Sequence, residues 1–484
     1  MAIDNSYKNI LKGTAIFGGT QFFTILINLI RGKLVAIFLG PEGMGISSLI
    51  TASMNTIQQF SSIGLNLSIV KEISEAKEKN NEEILARIIK ISRLLLFATG
   101  ILGAVITTIL SPYLSKSIFG NNGYTWAFIL LSIAILFTTL SNGELAILQG
   151  YREVRKLAWA SVVGATVGLF CGIPMYYFWG IDGIIPAIIT LAFTNYLFYK
   201  TKSLSLLQKK ASIIWKKEKA IIKRMILLGL ALMGASLIGT ITNYILNIYI
   251  NQYGSIADLG MYQAANSMTN QYVGIVFTAM GLDYFPRLTA IINNKQEVID
   301  IVNKQINIVI NIMAPLCCLL ILLSPLIIKI LLTEDFIPVI ELLRWMAIGL
   351  FLKSCAFPIG YISFAKGDKK TFFLLEGIWS NISTLTINII FYHIYGLTGL
   401  GISLCVIYFL NFIIYIILTK KIYKFYILKK TYKTIYLLFI ILLFALLSTY
   451  IKQKLNSDIC MVVCTILCSF YSYKNIKENL NINK

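Results

Sequence analysis

The chain has 484 residues, 57% of them hydrophobic and only 13% charged, with a mean hydropathy of +0.75 and a formal net charge of +21. A soluble domain carries about a quarter charged residues, whereas here the charge sits in short blocks between apolar stretches of about twenty residues, the length that crosses a hydrocarbon core. No room is left for a soluble domain, and the nucleic-acid partner that so basic a chain would otherwise suggest is set aside, because basic loops that fix topology and lie against anionic lipid explain the excess.

Residues 1–12 are polar and lead directly into a long helix, without the short apolar core and small-residue cleavage site of a removable signal. Apolar windows then predict six spans at 14–39, 43–69, 88–111, 124–149, 158–178 and 181–199. A basic stretch follows, and six more spans are predicted at 225–251, 259–285, 305–332, 338–364, 372–393 and 397–419. Two further helices, 434–451 and 457–473, complete an all-α integral membrane protein of about fourteen transmembrane helices. In the last of them Cys460, Cys464 and Cys468 share one face as small apolar residues; no metal site and no cofactor is expected.

With the N-terminus placed in the cytoplasm and span ends counted with the nearer side, 35 of the 43 lysines and arginines fall on the cytoplasmic side, five on the outer side, and three, Arg31, Lys33 and Lys353, deeper within spans. Such a bias sets orientation and supports the even helix count. The expected location is a bacterial inner membrane, with both termini cytoplasmic.

The chain also repeats itself. The loop after the fourth span reads LQGYREVRKLAW and is followed by WGIDGI; the loop after the tenth reads FAKGDKKTFFLL and is followed by YGLTGL. Gly150 pairs with Gly367, Gly180 with Gly396 and Gly183 with Gly399, at offsets of 216 or 217. FLGPEGMGIS likewise matches QYGSIADLGMYQ, pairing Gly40 with Gly254 and Gly45 with Gly260. Both copies hold six spans and start on the same side, so the repeat is parallel. The expected division is an N-lobe over 1–200, a basic linker over 201–224, a C-lobe over 225–420 and an extension over 421–484. Two such lobes suit alternating access around a central cavity.

A charge inside a span is costly and normally faces a cavity or a partner. Arg31 and Lys33 lie in the outer half of span one, Lys353 near the middle of span ten, and Arg344 about two turns farther out. Snorkelling to the outer interface also accounts for Arg31 and Lys33. Glu144, Asp283 and Glu376 sit close to cytoplasmic ends, where loop bases can pair with them, and Arg287 follows Asp283 in the same stretch. These four are candidates for coupling or gating. A cavity with positive charge at mid-depth suits an anion, above all a diphosphate. Asn28, Gln58, Asn243 and Asn247 offer amides that fit sugar hydroxyls, though amides also hold membrane helices together. His393 lies near the outer end of span eleven as an interfacial residue.

GKLVAIFLGPEGMGI at 32–46, DYFPRL at 283–288 and LRWMAIGLFLKSCAFPIGYISFAKG at 343–367 resemble, in order and spacing, the O-antigen translocases and lipid III flippases. These form the polysaccharide branch of the superfamily that also holds multidrug exporters and lipid II flippases. The resemblance runs from about residue 10 to 420, and the family's basic positions match Lys33 and Lys353. It implies a flippase for undecaprenyl-diphosphate-linked oligosaccharide, acting as a monomer in membrane lipid, with polymerase or ligase partners and no catalytic residue. Many relatives stop after twelve spans, so the extension is a departure, and its deletion is expected to harm activity more than folding. Two rivals remain. A drug or cation exporter of the same superfamily would want a membrane-embedded acid where span one carries Arg31 and Lys33. A polytopic glycan polymerase or ligase would want catalytic groups on an outer loop, and the longest, about 112–123, has neither acid nor histidine.

Overall fold

In hydrocarbon every backbone N–H and C=O must be satisfied within the chain, and long apolar runs do this as helices. The computed structural model describes residues 2–79, 82–206 and 215–481, and they form helices and short turns with no strand among them. The side chains of residues 2–18, 21, 215–217, 231, 232, 235, 271, 272, 275, 278, 279, 282, 283 and 479–481 fall outside that description. Among the described residues, nine helical stretches are long and apolar enough to cross a membrane. Three of them, Phe22–Ser61, Val154–Leu204 and Lys369–Tyr423, hold 40, 51 and 55 residues, about twice the length of a crossing. Each is broken by a glycine with positive φ: Gly40, Gly180 or Gly396. Counting two crossings for each, and adding α7 and the α8–α9 run named below, accounts for the fourteen predicted spans. Ile109, Trp126, Phe178 and Leu455 are each more than 70% exposed, a surface that suits lipid rather than water.

Contacts divide the chain into two units, Met1–Ile248 and Tyr249–Lys484. The first contains α1 (Ala2–Ser61), α2 (Leu65–Glu78), α3 (Glu82–Phe119), α4 (Thr125–Gly150), α5 (Val154–Trp179), α6 (Ile184–Leu204) and most of α7 (Trp215–Tyr253). This division falls inside α7, which is held closely to α2 and the end of α1. A Cβ on Gly64 would stand 2.2 Å from the Gly229 carbonyl oxygen, Gln59 Nε2 donates to Ser236 Oγ at 2.6 Å, and Arg224 Nε donates to Glu72 Oε1 at 2.6 Å.

The second unit contains α8 (Ile256–Asn266), a π-helical turn at Ser267–Val273, α9 (Ile275–Ala290), α10 (Lys295–Leu331) and α11 (Val339–Ala365). It continues with α12 (Lys369–Phe372), a second π-helical turn at Phe373–Trp379, α13 (Ser380–Tyr423), α14 (Lys429–Ser448) and α15 (Lys454–Asn481). Leu438, Leu442, Leu446, Met461 and Cys468 of the last two helices enter the same core as Met313, Cys317 and Ile321 of α10. Asn303 of α10 fixes the segment before α14: its Oδ1 accepts from the Leu428 N–H at 2.9 Å and its Nδ2 donates to the Tyr426 carbonyl at 3.1 Å. One turn on, Asn307 Nδ2 donates to Thr431 Oγ1 at 3.0 Å. The extension is thus built into the core, and its deletion uncovers α10. Loss of folding is the outcome the structure favours, which revises the expectation drawn from sequence.

The repeat is visible in backbone detail. Gly180 (φ 53, ψ −126) and Gly396 (φ 58, ψ −140) break their helices alike. A Cβ on Gly183 would lie 2.1 Å from the Met175 carbonyl oxygen, and one on Gly399 would lie 2.0 Å from that of Phe391. At the other landmark the correspondence shifts. Glu153 N–H donates to the Leu148 carbonyl at 3.1 Å and Asp368 N–H to the Ser363 carbonyl at 3.1 Å. The left-handed residues there are Arg152 (φ 57) and Gly367 (φ 67), an offset of 215. Gly367 therefore matches Arg152 rather than Gly150. Gly150 is small for a different reason: a Cβ there would lie 2.7 Å from Ile73 Cβ.

Candidate functional site

In the second unit, α11 carries Lys353 into apolar surroundings, half-buried. Its Nζ lies 5.1 Å from the centre of the Phe277 ring and 5.4 Å from that of Tyr408. Ring faces are negative and hold a cation without neutralising it. Among the described residues no carboxylate lies within ion-pair distance of it, so the charge remains available to an anion.

Lys353 is close enough for its charge to act on Glu376, which sits in the second π-helical turn. Turns of that type are rare and concentrate at functional positions. Asn381 Nδ2 donates to the carbonyls of Glu376 and Gly377 at 3.1 and 2.8 Å, satisfying acceptors that the widened turn releases. Tyr415 Oη donates to Glu376 Oε1 at 2.5 Å. Glu376, Phe357, Gly360, Tyr361, Phe364 and Phe372 line a pocket of about 260 Å³. Gly360 admits the carboxylate, since a Cβ there would stand 2.9 Å from Glu376 Oε1.

The repeat shows what is special about this acid. Ser161 and Tyr199 of the first unit stand 215 and 216 residues before Glu376 and Tyr415, and their hydroxyls are 2.8 Å apart. The same tyrosine therefore meets a hydroxyl in one copy and a carboxylate in the other. Sequence reading found Glu376 and missed Tyr415, although the repeat offset applied to Tyr199 would have located it.

The remaining candidates are placed as follows. Glu144 of α4 is buried and takes two bonds from Arg93 of α3, Nε to Oε1 at 2.8 Å and Nη2 to Oε2 at 2.9 Å. Ser203 Oγ bonds the same carboxylate and accepts from Arg93 at 2.9 Å. Arg31 is half-buried, with Nη2 3.5 Å from the Tyr176 hydroxyl, the outer limit of a hydrogen bond. Lys33 is half-buried in the same helix, Asn28 is exposed on it, and Asn243 is exposed while Asn247 is buried on α7. Gln58 is 8% exposed, and its Nε2 has no hydrogen-bond partner among the described residues; a buried amide donor of this kind is one that water or cargo would satisfy. Arg287 is exposed near the end of α9. The side chain of Asp283 lies outside the described residues.

Arg344 is half-buried and donates from Nε to Ser324 Oγ at 3.2 Å. It borders a separate pocket of about 440 Å³ with Glu341, Thr398, Thr449 and Tyr450. There Tyr450 Oη donates to Glu341 Oε1 at 3.0 Å and accepts from Trp345 Nε1 at 3.2 Å, so a residue of the extension helps to close the surroundings of Arg344.

Outside the spans, Asp368 caps α12. The Thr371 hydroxyl and N–H, together with Tyr423 Oη at 2.7 Å, hold its carboxyl below the usual range.

Comparison with known proteins agrees with this architecture. The chain is 23% identical over 380 residues to the lipid III flippases of Escherichia coli and Shigella flexneri, covering 75% of this chain and 86% of each of those. Its fold is like that of the lipid II flippase MurJ in an inward closed conformation, with a TM-score of 0.70 at 16% identity, over 96% of this chain and 99% of that one. A multidrug resistance MATE family transporter in an inward-facing conformation also gives a TM-score of 0.70, at 17% identity, over 85% of this chain and 99% of that one. The model of a family described as polysaccharide biosynthesis protein matches residues 34–341, nearly two thirds of the sequence, and the chain belongs to that family.

Proposed function

We propose that this protein is a flippase that moves undecaprenyl-diphosphate-linked oligosaccharide from the cytoplasmic to the outer leaflet of a bacterial inner membrane. The observation that carries the reading is Lys353: a cation inside a membrane helix, faced by two aromatic rings and ion-paired with no carboxylate among the described residues. Such a group favours an anion over a cationic drug. Sequence likeness to lipid III flippases supports the same cargo class.

In this mechanism Lys353 attracts the diphosphate, whose charge must be neutralised before it leaves water; Lys33 and Arg31 of the first unit are further candidates for that charge, whereas Arg344 faces a pocket of its own. Asn28, Gln58, Asn243 and Asn247 offer donors and acceptors to the sugars. The lipid tail stays in the bilayer, since moving it into protein gains nothing over hydrocarbon. The bound head group is then exposed to either side of the membrane in turn. No bond is made or broken, so no catalytic group is needed. Glu376 is the candidate for coupling, because it is the one of the two equivalent positions that can exchange a proton. Glu144, Asp283 and Arg287 are assigned to gating.

The test is reconstitution into liposomes with a fluorescent undecaprenyl-diphosphate oligosaccharide in the inner leaflet. Its arrival outside, dependent on protein, supports the reading. Export of small organic cations without any lipid movement would place the chain with the multidrug transporters instead.

A further inference from the structure

A second basic cluster lies in the first unit, where α2 meets α7. Lys71, Lys223 and Arg224 line a concavity of about 510 Å³ with Ala220, Leu227 and Leu228. Nothing in the proposed mechanism uses it.

Its charge is positive after local pairing is counted. Glu72, 2% exposed, takes two bonds from Arg224 through Nε and Nη2. This pair fixes the guanidinium at the rim, and its Nη1 takes no part in it. Lys71 lies 3.8 Å from Glu75, with both side chains well exposed, and such a surface pair is weak. Lys223 is exposed. Two ammonium groups and one edge of a guanidinium therefore face a single concavity whose buried acid is already engaged.

Directly beside the cations the surface turns apolar. Leu67 and Leu227 each stand one helical turn from a lysine, Lys71 and Lys223, and are 59% and 56% exposed; Leu230 is 45% exposed. A basic pocket that gives way to exposed leucines within one turn matches the boundary between headgroups and hydrocarbon. Basic pockets between transmembrane helices on the cytoplasmic side are suited to lipid phosphates.

We infer that this pocket binds the phosphodiester headgroup of an anionic phospholipid, with its acyl chains lying along Leu67, Leu227 and Leu230. A resident lipid is favoured over the cargo because none of the residues assigned to the diphosphate lines this pocket. Bound there, the headgroup bridges α2 and α7.

The experiment is native mass spectrometry of the full-length protein released from nanodiscs containing equal phosphatidylglycerol and phosphatidylcholine. Wild type is compared with Lys71→Gln/Lys223→Gln, which leaves the Arg224–Glu72 pair intact. Lys71→Arg/Lys223→Arg keeps the charge, and Lys369→Gln/Lys370→Gln removes two lysines elsewhere. Wild type is expected to retain phosphatidylglycerol preferentially. The Gln pair should lower that retention roughly 10- to 30-fold, the loss of two surface charges near lipid phosphate, while the Arg pair and the distant pair retain it. Equal retention by wild type and the Gln pair, or an equal loss in the distant pair, overturns the inference. So does lysine-dependent retention of an undecaprenyl diphosphate without phosphatidylglycerol, which would make the pocket a cargo site.

Discussion

Replacing Lys353 with Gln removes a charge while keeping most of the side chain's length. Two effects follow, and the structure separates them. The fold loses two cation–π contacts, at 5.1 and 5.4 Å, each worth about 0.5–1 kcal/mol at a partly wet site. The stability cost is thus at most about 2 kcal/mol, a shift of a few degrees in Tm for a chain of this size. Cargo binding loses a hydrogen bond between charged groups, worth about 1.5–3 kcal/mol, or roughly 10- to 150-fold in the initial flipping rate at sub-saturating lipid. Lys353→Arg keeps the charge and should recover most of the rate. The assay is dithionite quenching of a fluorescent lipid-linked oligosaccharide in proteoliposomes, with thermal unfolding in detergent measured on the same preparations. A K353Q protein that flips within two-fold of wild type would refute the argument that this cation holds the diphosphate. A large drop in Tm would instead show that the two rings hold the fold.

Other outcomes follow from neighbouring features. Glu376→Gln keeps the Tyr415 contact and removes the proton; it should abolish acceleration of flipping by an imposed pH gradient while leaving downhill flipping in place, and a gradient response equal to wild type would remove Glu376 as the coupling group. Glu144→Gln leaves the Arg93 charge against a neutral amide, so it should lower stability by about 3 kcal/mol, read as a drop in Tm, whereas an unchanged Tm with lost transport would point to gating. Gly399→Ala sets a Cβ 2.0 Å from a carbonyl oxygen and should reduce folded protein in the membrane, as should Gly183→Ala at the equivalent turn. Both are checked by size-exclusion chromatography of detergent extracts, and a normal yield of monodisperse protein from either would count against the close approach in these turns.

Much of this architecture is legible in the sequence because a bilayer restricts the alternatives. Twenty apolar residues between basic blocks have few options other than a crossing, and the glycine landmarks at 180, 183, 396 and 399 predict the paired turns that the backbone shows. The Gly150 pairing slipped by two residues because glycine serves two purposes. It permits positive φ at Gly367, but at Gly150 it permits close packing, while Arg152 bears the left-handed turn without its help. The packing of α7 against α2 was hidden for a similar reason: hydropathy marks where a helix enters lipid, not which neighbours it packs against, and the Gly64–Gly229 approach joins positions 165 residues apart. The site was partly visible. A lysine or a glutamate in an apolar run stands out, whereas Phe277, Tyr408 and Tyr415 are ordinary aromatics in a membrane helix until folding brings them to those charges. Arg93 lies just inside the end of its predicted span, next to a basic loop, so its bidentate bond to Glu144 carried no local signal.

The docking of the final two helices has a consequence for biogenesis. Asn303, Asn307 and the buried face of α10 enter the membrane well before residues 429–481 leave the ribosome. Until then the apolar face of α10 that packs against α14 and α15 has no protein partner, and the contacts of Asn303 and Asn307 with Tyr426, Leu428 and Thr431 at the end of the span are not yet made. The second unit therefore stays open through much of its own synthesis and closes only when the last hairpin inserts. A nascent chain that stalls or is cut short leaves that face of α10 uncovered and the loop before α14 unanchored, a mark by which membrane quality control can tell an unfinished copy from a complete one.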